Sequence, residues 1–303
     1  MTPDTLRIVR PLSITPAMML ASNVTETDYP EWASGTPYAL DARVIVAAQH
    51  KVYQSLVAAN TGNAPATSPT QWVEVSATNR WKAFDDSVST QTKRASLLSY
   101  TIQPGQAIHS VAALNLAEAT SMRVRVTDPG LGVIYDKTVP LAGQLINSNW
   151  WDWFFGERTQ RMQSIYTDLP AAPAATITID ITGTNGLAVG VLVLGQMRQF
   201  SLGVQMGARV GFTDYSREEE NEFGDVYITE RPTADRAVFP LLLEASEVDA
   251  FLAFAKSVRK KPCLWIGSDR FEAMTVFGFP KEFDVLISYY DYANCDLELR
   301  GLT

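Results

Sequence analysis

The sequence predicts a mainly β protein built from several domains. Three observations support this: apolar and polar residues alternate with period two in many short runs, turn-forming residues separate these runs, and a helical period occurs in one segment only. A chain of 303 residues is long enough for two or three domains of roughly 100–200 residues each. Changes in composition divide it into residues 1–27, 28–76, 79–200 and 201–303.

The overall composition excludes several classes of function. The chain has 25 Lys and Arg against 33 Asp and Glu, a formal net charge of −8, whereas binding to nucleic acid depends largely on Lys and Arg. Its two cysteines and two histidines leave little material for a disulfide scaffold, a metal centre or a histidine-based catalytic site. We therefore expect no nucleic-acid partner, no metal and no cofactor.

The first segment, residues 1–27, is predicted to be an N-terminal arm that packs with the C-terminal domain. It has strand-like runs at residues 6–9 and 18–20, and it lacks the basic start and long apolar core of a signal peptide. The longest apolar run of the chain, residues 187–194, is far shorter than the ~20 residues that a membrane helix needs. We expect synthesis in a cytoplasm and no membrane span.

The second segment, residues 28–76, is rich in Trp, Tyr, Thr and Pro. Its aromatic and turn residues follow the order Trp32, Tyr38, Val44, Tyr53, Gly62, Pro65 and Trp72. This order resembles the small carbohydrate-binding modules of bacterial chitinases and cellulases, which implies a three-stranded fold. The chain departs from that family at Asp41, where the family has glycine, and at residues 56–62, which lack the family's adjacent exposed aromatic residues.

The resemblance leaves two roles open for the rings of this module. Trp32, Tyr53 and Trp72 are either the framework of its core or, for one or more of them, a platform for a sugar. A flat aromatic face stacks on the apolar face of a pyranose, and so small a domain has few other residues from which to build a core. These three rings are the candidate carbohydrate-binding residues.

The third segment, residues 79–200, is predicted to be a β-sandwich. Alternating runs at residues 122–126 and 176–181 place successive side chains on opposite faces of a sheet, and turn residues follow at 128–130 and 183–186. The segment resembles a galactose-binding-like jelly roll, which implies that loops at one end recognise ligands.

Two features of this segment are candidates for function. Asp85 and Asp86 are either solvated turn acids or ligands of a structural Ca²⁺. A later aromatic cluster holds five large rings in seven positions, and its candidate contact residues are Trp150, Trp151 and Trp153. Because one face of a strand has little room for so many rings, they are either buried between layers, the preferred interpretation, or anchor a subunit or glycan contact.

The fourth segment, residues 201–303, holds 11 Lys and Arg and 18 Asp and Glu, so that the preceding 202 residues are nearly neutral. It contains the one helical pattern, with Ser246 as the predicted N-cap, Pro262 as the stop, and an apolar face made of Val248, Phe251, Leu252, Ala255 and Val258. Strand-like runs precede and follow it at residues 237–243, 263–267, 271–279, 285–290 and 295–300. The acidic stretch at residues 214–225 is predicted to be a solvated loop.

A set of motifs extends over nearly the whole chain. Its members are Asn79-Arg80-Trp81, Phe84-Asp85, the aromatic cluster near Trp150, Asp214-Tyr215-Ser216, Phe223-Gly224-Asp225, residues 262–267 and the closing CDLELRGL of residues 295–302. With the order of the segments, these motifs resemble virion proteins of tailed bacteriophages that are tail or baseplate components.

The phage resemblance implies a structural, non-enzymatic part of a tail tip or baseplate, located in the virion. It further implies a homo-oligomer, a trimer or hexamer, with other tail proteins as partners, because phage tails have threefold or sixfold symmetry. On this interpretation the N-terminal arm and the C-terminal domain attach to the tail. The two β modules project and serve host attachment, with a host surface glycan as the possible ligand.

A virion-associated glycan-degrading enzyme with an attached binding module is the alternative from another class. Such an enzyme needs two carboxylates roughly 5–10 Å apart across a sugar, and the candidate pairs are Asp85 with Asp86 and Asp214 with Glu218. No spacing in the sequence points to that arrangement, so we predict no catalytic residue. A receptor-binding lectin within the virion is a third hypothesis, which differs from the first only in whether the β modules contact sugar.

Overall fold

The computed structural model describes residues 5–141, 150–155, 160–200, 203–220, 226–287 and 290–302. These residues are mainly β, as the sequence predicts. In chain order the strands are β1 Leu6–Pro11, β2 Met19–Ser22, β3 Arg43–Val46, β4 Lys51–Ser55, β5 Trp72–Ala77, β6 Thr92–Lys93, β7 Leu97–Ile102, β8 Ser110–Asp128, β9 Gly132–Pro140, β10 Gln163–Tyr166, β11 Thr176–Phe200, β12 Arg209–Asp214, β13 Arg217–Glu220, β14 Val226–Thr229, β15 Thr233–Glu244, β16 Cys263–Ile266, β17 Thr275–Leu286 and β18 Tyr292–Gly301. The helices are α1 Trp150–Phe155 and α2 Val248–Ser257.

Most strands belong to one thirteen-stranded antiparallel sheet. Its main path follows the order β10-β8-β11-β1-β16-β17-β18-β15-β12, and β2, β6, β7 and β9 pair with other strands beside this path. Strands from residues 79–200 and strands from residues 201–303 therefore share one sheet.

Strand β1 lies between these two parts of the sheet. It pairs along its whole length with the end of β11 on one side, and with β16 on the other. Leu6 and Ile8 are buried in the core of the C-terminal strands, whereas Val9 belongs to a second core that both parts share. The N-terminal segment thus supplies the strand through which the two parts are joined.

Strands β8 and β11 are the longest, with 19 and 25 residues. The turn predicted at residues 183–186 is wrong, because β11 continues through that stretch with a break in register between Thr182 and Ala188. Glycine is required there for close approach: a Cβ on Gly183 would lie 2.2 Å from the carbonyl oxygen of Glu118. Irregularities of this kind bend strands, and both halves of β8 and β11 contribute side chains to one core.

The apolar run at residues 187–194 is a strand that is buried on both faces. Val189 and Leu192 pack in the core of the middle segment, while Val191 and Val193 pack in the core shared with the C-terminal strands. Because neither face meets water, the run carries no polar alternation.

Helix α2 packs on the C-terminal half of the sheet. Its predicted apolar face is confirmed by the burial or partial burial of all five members, Val248, Phe251, Leu252, Ala255 and Val258. The predicted N-cap at Ser246 is wrong, because Ala245–Glu247 forms a 3-10 turn and the helix starts after Glu247 without a side-chain cap. Neither helix in the described part of the chain is long and apolar enough to cross a membrane.

Two of the strand-like runs predicted after the helix, residues 271–279 and 285–290, overlap one strand, at residues 275–279 and 285–286. Strand β17 runs from Thr275 to Leu286 and pairs with β18 through a register shift between Pro280 and Glu282. Proline has no N–H to donate to a sheet, so it occurs at such irregularities without ending the strand.

Two small sheets lie outside the large one. Strands β3, β4 and β5 form the three-stranded sheet that the sequence predicts for the module. Strands β13 and β14 form an antiparallel pair outside the large sheet. Strand β13 lies within residues 214–225, the stretch predicted to be a solvated loop, and β14 follows that stretch. The residues of β13 are exposed, as expected of a solvated segment, but they are a strand. We call residues 209–220 and 226–233 the arm.

Candidate functional site

Two of the three candidate sugar-binding rings form the core of the module. Trp72 is 2% exposed and Tyr53 is 7% exposed, and both pack against Val44. The Nε1–H of Trp72 donates to the Asn63 carbonyl at 2.9 Å, and the Tyr53 hydroxyl donates to Oε1 of Gln49 at 2.8 Å. Burial raises the pKa of Tyr53. The faces of these two rings are covered by protein, so their placement suits a framework rather than a sugar platform.

Of the three rings, Trp32 alone keeps partly exposed surface. The Trp32 ring packs at the margin of the core. The backbone N–H of Trp32 donates to the Ile45 carbonyl at 2.9 Å, and this bond attaches the segment before β3 to that strand. Tyr38 packs edge-on against Trp72 at 5.3 Å between centroids, and its hydroxyl accepts the Ala33 N–H at 2.8 Å. Of the three candidate rings, Trp32 is therefore the one whose indole keeps surface that a ligand could reach.

Exposed aliphatic side chains lie near Asp41 and residues 56–62, the two places where the chain departs from the pattern of carbohydrate-binding modules. Leu56 and Val57 are 43% and 38% exposed, and Val73 is 41% exposed on β5. Aliphatic side chains lack the flat π face that stacks on a pyranose. Asp41 has a φ of 64°, a conformation that glycine adopts readily, which accounts for the glycine that the family has at this position.

An ionic cluster at Glu26 holds the start and the end of the module together. The Glu26 carboxylate is contacted by Nδ1 of His50 at 2.9 Å, by the Thr78 hydroxyl at 2.9 Å and by the Arg80 guanidinium at 3.0 Å. Its side chain is only 10% exposed. Residues on both sides of the module and one residue within it therefore converge on a single carboxylate.

A second carboxylate, Asp28, extends this cluster. It accepts the Asn79 N–H at 2.7 Å and lies 3.7 Å from Nζ of Lys82. This cluster was not predicted from the sequence, although acidic residues before the module and basic residues after it could have indicated an ionic contact between its two ends. We call the set the clasp, and its members are Glu26, Asp28, His50, Thr78, Arg80 and Lys82.

The aromatic cluster forms helix α1 and is exposed. Trp150, Trp151, Phe154 and Phe155 are 79%, 70%, 64% and 70% exposed, so the preferred interpretation of burial between layers is wrong for these four rings. The helix places residues four apart side by side, with Trp150 stacked on Phe154 and Trp151 tilted against Phe155. The side chain of Trp153 lies outside the described residues. A subunit or glycan contact by this cluster stays a prediction.

The acidic residues named for catalysis or metal binding make local turn contacts. Asp85 accepts the Ser87 N–H at 3.0 Å and the Thr90 hydroxyl at 2.7 Å, and burial raises its pKa. Asp214 accepts the Ser216 N–H at 2.8 Å, and hydrogen bonds from Ser216 lower its pKa. Within the described residues, no group of three or more His, Cys, Asp or Glu side chains is placed to hold a metal ion.

A cleft of about 790 Å³ lies where the middle segment, the C-terminal strands and the arm meet. Its apolar lining includes Leu114, Met162, Phe212, Phe277 and Leu302. Asp235 also lines the cleft, and partial burial raises the pKa of its carboxyl. Polar side chains, among them Asn115, Gln163 and Glu272, line the cleft as well. The cleft could not be predicted from the sequence, because its residues are far apart in the chain and only the large sheet brings them together.

Comparisons of the chain with protein-family models, with curated proteins and with solved structures find no match. The functional conclusion therefore depends on the residues, on their geometry and on the two resemblances described above. The surfaces best suited to recognition are aromatic: Trp32 on the module and the four exposed rings of α1.

Proposed function

We propose that this chain is a structural, non-enzymatic component of a bacteriophage tail tip or baseplate, whose β modules contact the host surface. The observation that carries the proposal is the arrangement of the module's framework. One small core contains Val44, Tyr53 and Trp72, with Trp32 and Tyr38 packed against it. This is the arrangement that the resemblance to chitinase-type carbohydrate-binding modules implies.

Exposed aromatic rings support a contact with host glycans. Trp32 offers part of an indole on the module, and Trp150 and Trp151 on α1 are 79% and 70% exposed. Aromatic rings are the side chains that most often anchor sugars and protein partners. The clasp supports the same proposal, because a module held in one orientation has less freedom to lose when it binds.

The large sheet supports a role in assembly. Because β1 joins the middle and C-terminal strands in one sheet, the body of the chain suits a rigid part of a larger particle. We propose that the C-terminal strands and β1 attach to neighbouring tail proteins in the virion. Copies of the chain are then related by the threefold or sixfold symmetry of the tail.

The composition of the virion tests the proposal. Mass spectrometry of virions purified from the phage that carries this gene should detect the chain at a constant ratio to the other tail proteins. Absence of the chain from purified virions would overturn the proposal.

Isothermal titration with chitin oligosaccharides and with host surface glycans tests the binding part. The full-length chain should release or absorb heat with at least one glycan, and Trp32→Ala should abolish that signal. Leu40→Ala is a matched control on the module, because Leu40 is 55% exposed and has no ring. If Trp150→Ala abolishes the signal and Trp32→Ala does not, the glycan contact belongs to α1. No heat with any glycan removes this part of the proposal.

No specific observation favours the glycan-degrading alternative. Asp85 binds within its own turn, and Asp214 and Glu218 lie on the exposed arm. Incubation of the chain with host lipopolysaccharide or capsule should therefore produce no new reducing ends.

A further inference from the structure

The arm extends from the large sheet as an exposed ribbon. Every described residue of β12, β13 and β14 is exposed, and β13 and β14 pair only with each other in the described chain. A two-stranded ribbon is at best marginally stable in water, and it needs a third strand or another packed surface to be ordered. Strands β13 and β14 therefore lack a covering surface among the described residues of their own chain.

Large apolar side chains lie along this ribbon. Phe212 is 70% exposed on β12, and Tyr227 and Ile228 are 61% and 64% exposed on β14. Val210 and Val226 add further exposed apolar surface to the same two strands. Large exposed apolar side chains on a ribbon that is marginally stable by itself suit a contact with another molecule.

The charges of the arm indicate which molecule covers it. Strand β13 carries Glu218, Glu219 and Glu220 in succession, all exposed. Glu219 pairs with Arg217 at 2.6 Å, whereas Glu218 and Glu220 make no ion pair within the described residues. A surface that covers this strand has to supply positive charge.

The same chain carries a matching basic surface beyond the end of helix α2. Arg259, Lys260 and Lys261 are consecutive and exposed, and they too make no ion pair within the described part of the chain. Strand β16, which follows them, is separated from β15 by β17 and β18, a distance of about 14 Å at ordinary strand spacing. The arm and the basic surface thus leave the sheet at different strands, and in one copy they do not pair.

We propose that the arm of one copy docks on a second copy of this chain, with acidic strand β13 against the basic residues 259–261. The inference rests on the proposed self-assembly and names the surface that produces it. Two different surfaces meet in this contact, so each copy uses its arm on one neighbour and offers its basic residues to another. Such a head-to-tail contact closes into a ring or continues as a filament.

Reciprocal charge reversal in the full-length chain tests this docking. One variant carries Glu218→Lys and Glu220→Lys, and the other carries Arg259→Glu and Lys260→Glu. Sedimentation velocity should show an oligomer for the wild type and an association at least tenfold weaker for each variant. An equimolar mixture should regain the association, because in an alternating assembly every contact again joins opposite charges.

A matched control separates this contact from a general effect of charge. Glu282→Lys with Asp291→Lys makes the same change in net charge as the variant with Glu218→Lys and Glu220→Lys, but at exposed carboxylates outside the arm, and it should leave the association unchanged. Thermal unfolding should be the same for all variants, because none of the four reversed residues is buried.

Three results would overturn the docking: undiminished association of either reversed variant, no recovery in the mixture, or a wild-type monomer up to about 100 µM, a concentration that detects even weak association. The proposed function is tested by a different result. If the mixture regains the association but the chain is absent from virions, the phage role is contradicted and the docking is not. If the chain is present in virions but the variants associate as strongly as the wild type, the docking is contradicted and the phage role is not.

Discussion

Glu26 lies at the centre of the clasp, where His50, Thr78 and Arg80 all contact its carboxylate. Replacement by glutamine keeps the shape and one acceptor oxygen but removes the charge that Arg80 faces. We expect Glu26→Gln to lower the free energy of unfolding by about 1–3 kcal/mol, because hydrogen-bonded partners of a mostly buried charge lose their acceptor. Urea unfolding of the full-length chain at pH 7 measures this loss.

Glu74→Gln is the matched control for the clasp. Glu74 pairs with Lys51 at 2.6 Å, but both side chains are more than 40% exposed. Exposed pairs contribute less than about 1 kcal/mol, so this variant should be close to the wild type. Equal losses in the two variants would show that burial of Glu26 adds nothing to the clasp.

Asp85 is a residue whose surroundings oppose its charge, since burial raises its pKa in the folded chain. The folded state therefore holds this proton more tightly than the unfolded state, whose pKa is about 3.9. This carboxyl therefore lowers the free energy of unfolding as the pH rises from that value through the raised pKa of the folded state.

Asp85→Asn removes that penalty while its amide still bonds Ser87 and Thr90. We expect the free energy of unfolding at pH 7 to stay equal or rise by up to about 1 kcal/mol, a small gain because the group is partly solvated. The gain should shrink as the pH falls below about 4. Urea unfolding at pH 7 and pH 3.5 measures it, with exposed Asp86→Asn as control. A loss of stability that appears only with added Ca²⁺ would instead identify Asp85 as a metal ligand.

At the scale of single elements, close contact between strands depends on particular glycines. Gly195 lies where β11 meets β1, and a Cβ there would lie 2.1 Å from the Arg10 carbonyl oxygen and 2.9 Å from Cγ1 of Val9. We expect Gly195→Ala to lower the free energy of unfolding by at least about 2 kcal/mol, because backbone on both strands has to move. Gly211→Ala is the control, since nothing lies within 4 Å of a Cβ on that strand glycine. Thermal unfolding compares the two, and an equal effect contradicts the close-contact argument.

Local pattern predicts the elements whose packing is also local. The apolar face of α2 follows from helical spacing alone, because Val248, Phe251, Leu252 and Val258 all pack in or against the same core. The N-cap at Ser246 does not follow, since the chain first makes a 3-10 turn. The glycines at residues 183–186 have turn composition, yet they serve a strand that needs space for Glu118. The sequence shows that glycine is present but not which contact requires it.

At the scale of the whole molecule, β1 connects the cores. Ile8 is fully buried in the C-terminal core, although β1 also pairs with β11 of the middle segment. We expect Ile8→Ala to lower the free energy of unfolding by about 2–5 kcal/mol and to raise hydrogen exchange in both β11 and β16. Mass spectrometry of exchanged amides measures the change strand by strand.

Val44→Ala is the matched control for Ile8→Ala. Val44 belongs to the separate core of the module, so its truncation should raise exchange in β3, β4 and β5 only. If Ile8→Ala affects only β16 and its C-terminal neighbours, the two parts of the large sheet unfold independently, and β1 does not couple them.

The candidate site was only partly predictable, for reasons that concern exposure. The sequence identified Trp32, Tyr53 and Trp72 as one group, but burial of Tyr53 and Trp72 depends on how three strands close over them. The same limit applies to Trp150, because a dense aromatic run suits either a core or an exposed contact surface. The composition shows which segments are rich in aromatic rings. Which faces of those rings are accessible depends on neighbours from distant parts of the chain.

The sequence by itself determined the β class and the apolar face of α2, whereas the three strands of the module were implied by its resemblance to a known family. Period and composition are local properties, and the β class and the helix face depend on little else. Only the tertiary structure decided that β1 joins the middle and C-terminal strands, that the cleft forms and that acidic strand β13 and its partner β14 lie outside the large sheet. Those features depend on pairings between residues up to about 260 positions apart, such as Ile8 with Trp265, and no local pattern encodes which strand edge meets which.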